Sequence, residues 1–237
     1  MTDSSVPPSL PPVDPAAAEA GLARTYSPEL LAGLLADGDD DLAAWTIRSA
    51  LADAPRAQVY DGLIADAMRL VGQRWETGQW TVAEEHLASE TLLRALEQVR
   101  PTPGPAARIG RLAVLAGAAG ERHAIGLVLL DHLLSEHGWS VANLGADVPP
   151  ADLGRFVERN EAVVVAITAS HADRIEAVAA SIDAVRAASA GGSARPPVML
   201  GGRLAATPGI ATTLDVDWAG STLAGAIAFA DGIPDSP

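Results

Sequence analysis

Apolar and polar positions follow one period before about residue 100 and another after it. In the first part Val59, Leu63, Ile64, Met68 and Val71 recur at three- and four-residue steps, one face of an α-helix. Ser27-Pro28-Glu29 supplies a hydroxyl cap, a proline suited to the first helical position and a first-turn acid, predicting a helix to about Ala36. Gly38 and the run Asp39 to Asp41 separate it from a second helix, Asp41 to about Asp53. Pro55 restarts a third, which ends near Gly78, and Thr81-Val82-Ala83-Glu84 is a capping box opening a fourth, to about Val99. Four helices with short connections predict an antiparallel bundle over residues 27–100.

Pro101-Thr102-Pro103-Gly104-Pro105 reads as a stiff linker, residues 101–107, and marks the domain boundary. Beyond it short apolar runs alternate with helical patterns. Strands are expected at 111–117, 139–145, 162–168 and 197–200, with a weaker one at 215–219. Helices are expected at 122–137, 150–159, 173–188, 204–213 and 221–230. Residues 108–237 therefore predict a Rossmann-like, doubly wound α/β domain with a five-stranded, mainly parallel sheet. Residues 1–26, rich in Pro, Ser and Ala, read as a disordered tail.

Composition narrows the function classes. The formal net charge of −14, without a local Lys/Arg cluster, opposes direct binding of nucleic acid or an anionic membrane. Cysteine is absent, which excludes disulfides, thiolate metal sites and thiol nucleophiles. No apolar run reaches the length of a membrane span, and no basic start followed by an apolar stretch suggests a secretory signal, so a cytoplasmic protein is expected.

The candidate chemistry centres on Gly120-Glu121-Arg122-His123-Ala124-Ile125-Gly126. This stretch falls where the first strand hands over to the first α/β helix, at the carboxyl edge where open α/β sheets bind ligands. A neutral imidazole there suits a transition metal, and Glu121 is placed to take the proton of the other ring nitrogen. The residues alone fit equally a loop histidine beside a helix-entry carboxylate. Glycine turns follow the first strand (Gly117, Gly120) and the fourth (Gly201, Gly202). Gly-x-Gly-x-x-Gly in the first turn and Gly-x-x-x-x-Gly-Lys are missing, so pyridine-nucleotide and P-loop phosphate binding are poorly supported, and neither Ser-His-Asp spacing nor His-Glu-x-x-His is present.

Glu121-x-His123-x-x-Gly126, then 41 residues to Thr168-x-Ser170, then 30 to Gly201-Gly202, resembles the fingerprint of the cobalamin-binding domain family. Asn143 to Pro150 resembles that family's second strand and turn. The resemblance implies that His123 is the lower axial ligand of cobalt in place of the cofactor's own benzimidazole, and that Glu121 orients it. It implies further that Thr168 bonds the buried nucleotide tail, and that Gly126, Gly201 and Gly202 let the tail pass. Ser170 stands where the family has an apolar residue. In the helical part Trp75, nine residues, then Glu85-His86 is similar to the Trp-x9-Glu-His pattern of CarH-like light-dependent repressors. There the bundle caps the upper face of adenosylcobalamin, which implies an upper pocket lined by Trp75, Glu85 and His86.

Two features depart from those repressors. The MerR-type DNA-binding domain is not expected from the Pro-rich tail, and Glu76 follows Trp75 where the repressors can place a histidine. The expected function is a cobalamin-binding photoreceptor or light-responsive regulator that signals through a protein partner or a homodimer interface. A non-covalent bilin beside cobalamin, as in the photocobilins, is the subgroup reading. The alternatives are a corrinoid carrier of a methyltransferase system and a cobalamin storage or delivery protein.

Overall fold

Ser27 accepts a hydrogen bond from Leu30 N–H at 3.2 Å and opens α1, Pro28–Ala36. Asp39 accepts likewise from Leu42 N–H at 3.0 Å and opens α2, Asp40–Asp53. The computed structural model describes residues 26–102, 111–188 and 195–234. Residues 1–25 of the Pro-rich tail and 103–107 of the linker lie outside the described residues. The third helical segment runs as α3, Arg56–Val59, a π-turn at Tyr60–Ile64, and α4, Ala65–Glu76. Apolar spacing does not distinguish a π-turn from α-helix, so the expected single helix comes out interrupted. The Thr81 capping box forms, with Thr81 N–H donating to Glu84 at 2.6 Å and Glu84 N–H to Thr81 Oγ1 at 3.3 Å. It opens α5, Val82–Gln98. Leu31, Leu35, Ile47, Ile64, Leu92 and Leu96 are fully buried between these helices, each stabilising by about 1.5–3 kcal/mol at most.

Five strands follow: β1 Leu112–Gly117, β2 Ser140–Asn143, β3 Val164–Thr168, β4 Val198–Gly201 and β5 Trp218–Ala219. All pair in parallel, in the order β2-β1-β3-β4-β5. The crossovers are α6 Ile125–Glu136, α7 Pro150–Asn160, α8 Ile175–Ala188 and the short α9 Ile210–Leu214; α10 Leu223–Asp231 follows β5. This is the doubly wound, Rossmann-like architecture expected. The helix expected over 204–213 is instead a 3₁₀ turn, Arg203–Ala206, and α9. Pro208 cannot donate to a helical ladder, and Gly209 takes φ +78°, which breaks the run.

Side chains of each strand alternate between two cores. Val114, Ala116, Val165 and Leu200 belong to the core under α7, α8 and α9. Ala113, Leu115, Ala166 and Met199 join α6 and α10, and that core runs without a break into the bundle. The bundle thus lies against the face whose carboxyl edge carries residues 117–126.

Candidate functional site

The order β2-β1-β3 puts the reversal of winding between β1 and β3, where doubly wound sheets open a crevice at the strand ends. The loop after β1 is laced to its neighbours there. A side chain on Gly117 would stand 3.0 Å from Ala146 Cα, so the β2 loop packs directly on it. Gly120, at φ +79°, donates its N–H to Asp147 Oδ1 at 2.6 Å, and Asp147 N–H donates to Glu121 O at 2.9 Å.

Glu121 is buried, 2 % exposed, and fully bonded. Its Oε1 accepts from His123 N–H at 2.8 Å and lies 2.5 Å from His123 Nδ1, while Oε2 accepts from Ser170 N–H at 2.5 Å. Burial pushes the carboxyl up, but these donors outweigh it and hold Glu121 below the ordinary carboxylate value. An ionised carboxylate only accepts, so the ring nitrogen facing Glu121 carries a proton, and in the neutral imidazole the lone pair then falls on Nε2. That tautomer, on a side chain 62 % exposed, is one in which histidine binds a transition metal. The His171 ring lies 5.9 Å from that of His123, centroid to centroid.

His123 lines two cavities. The lower one, about 280 Å³, is also lined by Gly126, Thr168, Ser170, Gly201 and Gly202. The three glycines differ in kind. A side chain on Gly126 would meet nothing within 4 Å, and one on Gly201 only Ile167 O at 4.0 Å. Gly202 has φ +82°, and a side chain there would fall 2.3 Å from Ala169 O, so the protein's own backbone already requires glycine. Tyr60 and Asp61 of the bundle and Trp218 of β5 complete the walls.

The upper cavity, about 670 Å³, lies between bundle and sheet edge. Trp75, Glu85 and His86 line it together with His123, Gly126 and Arg203. Trp75 closes α4, the chain turns through Gly78 at φ +72°, and Thr81 starts α5 with Glu85 and His86 in its first turns. Trp75 is 47 % exposed here rather than part of the bundle core; Trp80 packs on the core instead, with Arg74 over its ring at 4.7 Å. Glu85 Oε2 lies 2.5 Å from His86 Nδ1, and Ser89 Oγ donates to Glu85 Oε1 at 3.0 Å. A carboxylate-oriented imidazole therefore stands on each side of the same space.

His137 pairs with Asp231 at 2.8 Å, and His132 is buried against Tyr60. Sequence reasoning missed Tyr60, Asp61, Arg203 and Trp218, which reach the cavities only through tertiary packing and carry no local signal. Among the described residues no group of three or more His, Cys, Asp and Glu is arranged to hold a metal ion. The donor present, a single exposed imidazole held by Glu121, suits a metal that brings its other ligands with it. The open faces of Gly126 and Gly201 and the oriented lone pair of His123 fit a corrinoid. No helix among the described residues is long and apolar enough to cross a membrane.

Comparison with known proteins agrees with that chemistry. Residues 29–100 match one family model described as a B12 binding domain, and residues 111–222 match another of the same description. The HTH-type transcriptional repressor CarA of Myxococcus xanthus is 36% identical over 143 residues, 60% of this chain and 46% of the repressor. CarH of the same organism is 35% identical over 136 residues, 57% of this chain and 44% of that one, so the matches span about half the length of these relatives. Trimethylamine corrinoid protein 1 of Methanosarcina mazei is 29% identical over 144 residues, 58% of this chain and 64% of that protein. In fold, the monomethylamine corrinoid protein of Methanosarcina barkeri superposes with a TM-score of 0.70 at 17% identity, covering 87% of this chain and 97% of that one. With two B12 binding domain matches lying end to end across the bundle and the sheet, the chain belongs with the cobalamin-binding proteins.

Proposed function

We propose that this chain is a light-responsive regulator, a binding protein rather than an enzyme, that holds cobalamin between its sheet edge and its bundle. His123 Nε2 would hold the cobalt, with Glu121 fixing the imidazole tautomer. The lower cavity, past Gly126, Thr168 and Gly201, would receive the nucleotide tail, and Trp75, Glu85 and His86 would close over the corrinoid from the bundle side. When bound, cobalamin supplies a cobalt–carbon bond that light cleaves. The chain's own residues orient the imidazole, exclude water and join the two halves across the cofactor.

The observation that carries the reading is the shared upper cavity, in which Trp75, Glu85 and His86 stand opposite His123. The likeness to CarA and CarH supports it. A ligand wedged between two bodies makes a switch, because reshaping it removes contacts that favour the closed arrangement. Output then passes through a protein partner or a homodimer interface. A bilin beside cobalamin in the upper cavity is the finer form of this reading.

A second reading, corrinoid carrier of a methyltransferase system, is favoured by the match to trimethylamine corrinoid protein 1, which extends over 64% of that protein. Absorption spectra of the protein loaded with adenosylcobalamin, before and after green light, separate the two. The regulator converts on illumination, and its oligomeric state changes with it. A loaded protein whose oligomeric state ignores light, yet which accepts methyl groups from a partner methyltransferase, is the carrier. Red-region bands in the purified protein identify the bilin form.

A further inference from the structure

Asp61 stands on the π-turn of the bundle, and both its carboxylate oxygens reach the other half of the chain. They accept from Leu223 N–H at 2.8 Å and Ala224 N–H at 3.0 Å, at the start of α10. The first N–H groups of a helix have no intrahelical partners and carry partial positive charge. A carboxylate from the bundle therefore closes a helix end of the α/β half. The same stretch supplies more cross-links. Tyr60 Oη lies 2.8 Å from His132 Nδ1. Arg56 donates to Tyr60 Oη at 2.8 Å and pairs with Glu136 at 3.3 Å.

This fastening is also a wall of the lower cavity. Tyr60, Asp61 and Ala65 face that space from the bundle side, and Gly126, Thr168 and Gly202 from the other. A π-turn at such a place is the irregularity that functional segments of helices often carry. What fills the lower cavity thus touches the residues that hold the two halves together.

We propose that filling the lower cavity and closing the bundle are one event, with Asp61 as the latch. This rests on the reading that the nucleotide tail of cobalamin takes the lower cavity. A corrinoid with a tail packs against the 60–65 turn and stabilises the closed arrangement by its extra contact there. A corrinoid without a tail, held only through His123, leaves the latch to open and close as in the free protein. Lower-ligand chemistry is in this way reported to the bundle from below, independently of what occupies the upper cavity.

The test compares cobalamin with cobinamide, which lacks the nucleotide tail, on the full chain and on Asp61→Ala and Asp61→Asn. Affinities come from spectral titration, and latch closure from amide exchange at Leu223, Ala224 and residues 56–65. The wild type is expected to prefer cobalamin by about tenfold or more, and to be protected at those amides by cobalamin but not by cobinamide. Asp61→Ala should cut that preference about fivefold or more by weakening cobalamin alone, with Asp61→Asn between; if the alanine variant does not fold, the asparagine variant carries the test. An unchanged preference and unchanged protection in both variants overturn the proposal. Equal weakening of both corrinoids also overturns it, by making Asp61 a general structural residue. A wild type that binds neither corrinoid overturns the reading beneath it.

Discussion

Glu121 Oε1 accepts the backbone N–H of His123 at 2.8 Å and lies 2.5 Å from the same residue's Nδ1. One buried oxygen thus fixes both the path of the loop and the tautomer of the imidazole. Ser170 N–H on the other oxygen ties this pair to the end of β3. The arrangement makes Glu121 a positioning residue, and Glu121→Gln tests it. The amide keeps the shape but turns an NH₂ toward one of these donors. Stability should fall by about 1–3 kcal/mol, as for a buried donor left unsatisfied, and cobalamin affinity by about 10–100-fold. Denaturant midpoints and spectral titration measure the two. An unaltered affinity would show that Glu121 does not tune His123.

The two kinds of glycine at the lower cavity should separate in one experiment. Gly126→Ala places its methyl in open space within a helix, so the free protein should keep or gain stability, by up to about 1 kcal/mol. Cobalamin binding should nevertheless weaken, because on the proposed reading the nucleotide tail passes through that space. Gly202→Ala meets Ala169 O at a positive φ and should cost about 1–3 kcal/mol or more before any ligand is added. Thermal unfolding with and without cobalamin reads both, and a Gly126→Ala protein with wild-type affinity would move the tail elsewhere.

That contrast also marks where sequence reasoning ends. Period-three-to-four spacing and helix caps give α1, α2 and α5, and alternation of strand and helix gives the parallel sheet, because those signals are local. The Glu121–His123 pair is visible as two residues with one between them in a strand-to-helix turn. Gly202 and Gly126 look alike as letters and differ only by what lies across from them. The π-turn and its Asp61 contact, 162 residues away in sequence, have no local signature at all. Trp75, Glu85 and His86 have both a spacing and a place, since a helix end and the next helix start must meet.

Stability should depend on pH through His132, which faces Tyr60, Arg56, Arg100, Asp131 and Glu97. Arg56 donates to Tyr60 Oη, which lies 2.8 Å from His132 Nδ1, and His132 Nε2 has no hydrogen-bond partner among the described residues. Burial, aided by Arg100, lowers the His132 pKa from 6.5 to about 4. The unfolded chain therefore binds more protons between these values, and this contribution is full above pH 6.5 and lost as pH falls toward about 4. The urea midpoint should decline across that window in the wild type and less in His132→Gln. Equal slopes in the two proteins would remove His132 as the cause.

Specific DNA binding is not expected of this chain. At a net charge of −14, phosphate neutralisation is unfavourable over most of the surface. Gel-shift or anisotropy titration in moderate salt should show no sequence-dependent affinity; nanomolar, sequence-selective binding would show that local surface chemistry overrides the overall charge.

Trp75→Ala should change the photoconversion of the adenosylcobalamin complex while leaving the lower-face spectrum as it is, since Trp75 lines the upper cavity only. Wild-type photoconversion and light-dependent oligomeric state in that variant would favour the carrier reading.

The proposed function depends on His123 holding cobalt through Nε2. Electron paramagnetic resonance of the cob(II)alamin complex reads that bond, because a nitrogen ligand on the axis splits the cobalt lines. Protein made with histidine carrying the heavy nitrogen isotope should turn each triplet into a doublet, and His123→Ala should lose the protein's splitting altogether. Triplets that survive labelling, or an unaltered spectrum in His123→Ala, would mean that the cofactor keeps its own base and that His123 is not its ligand.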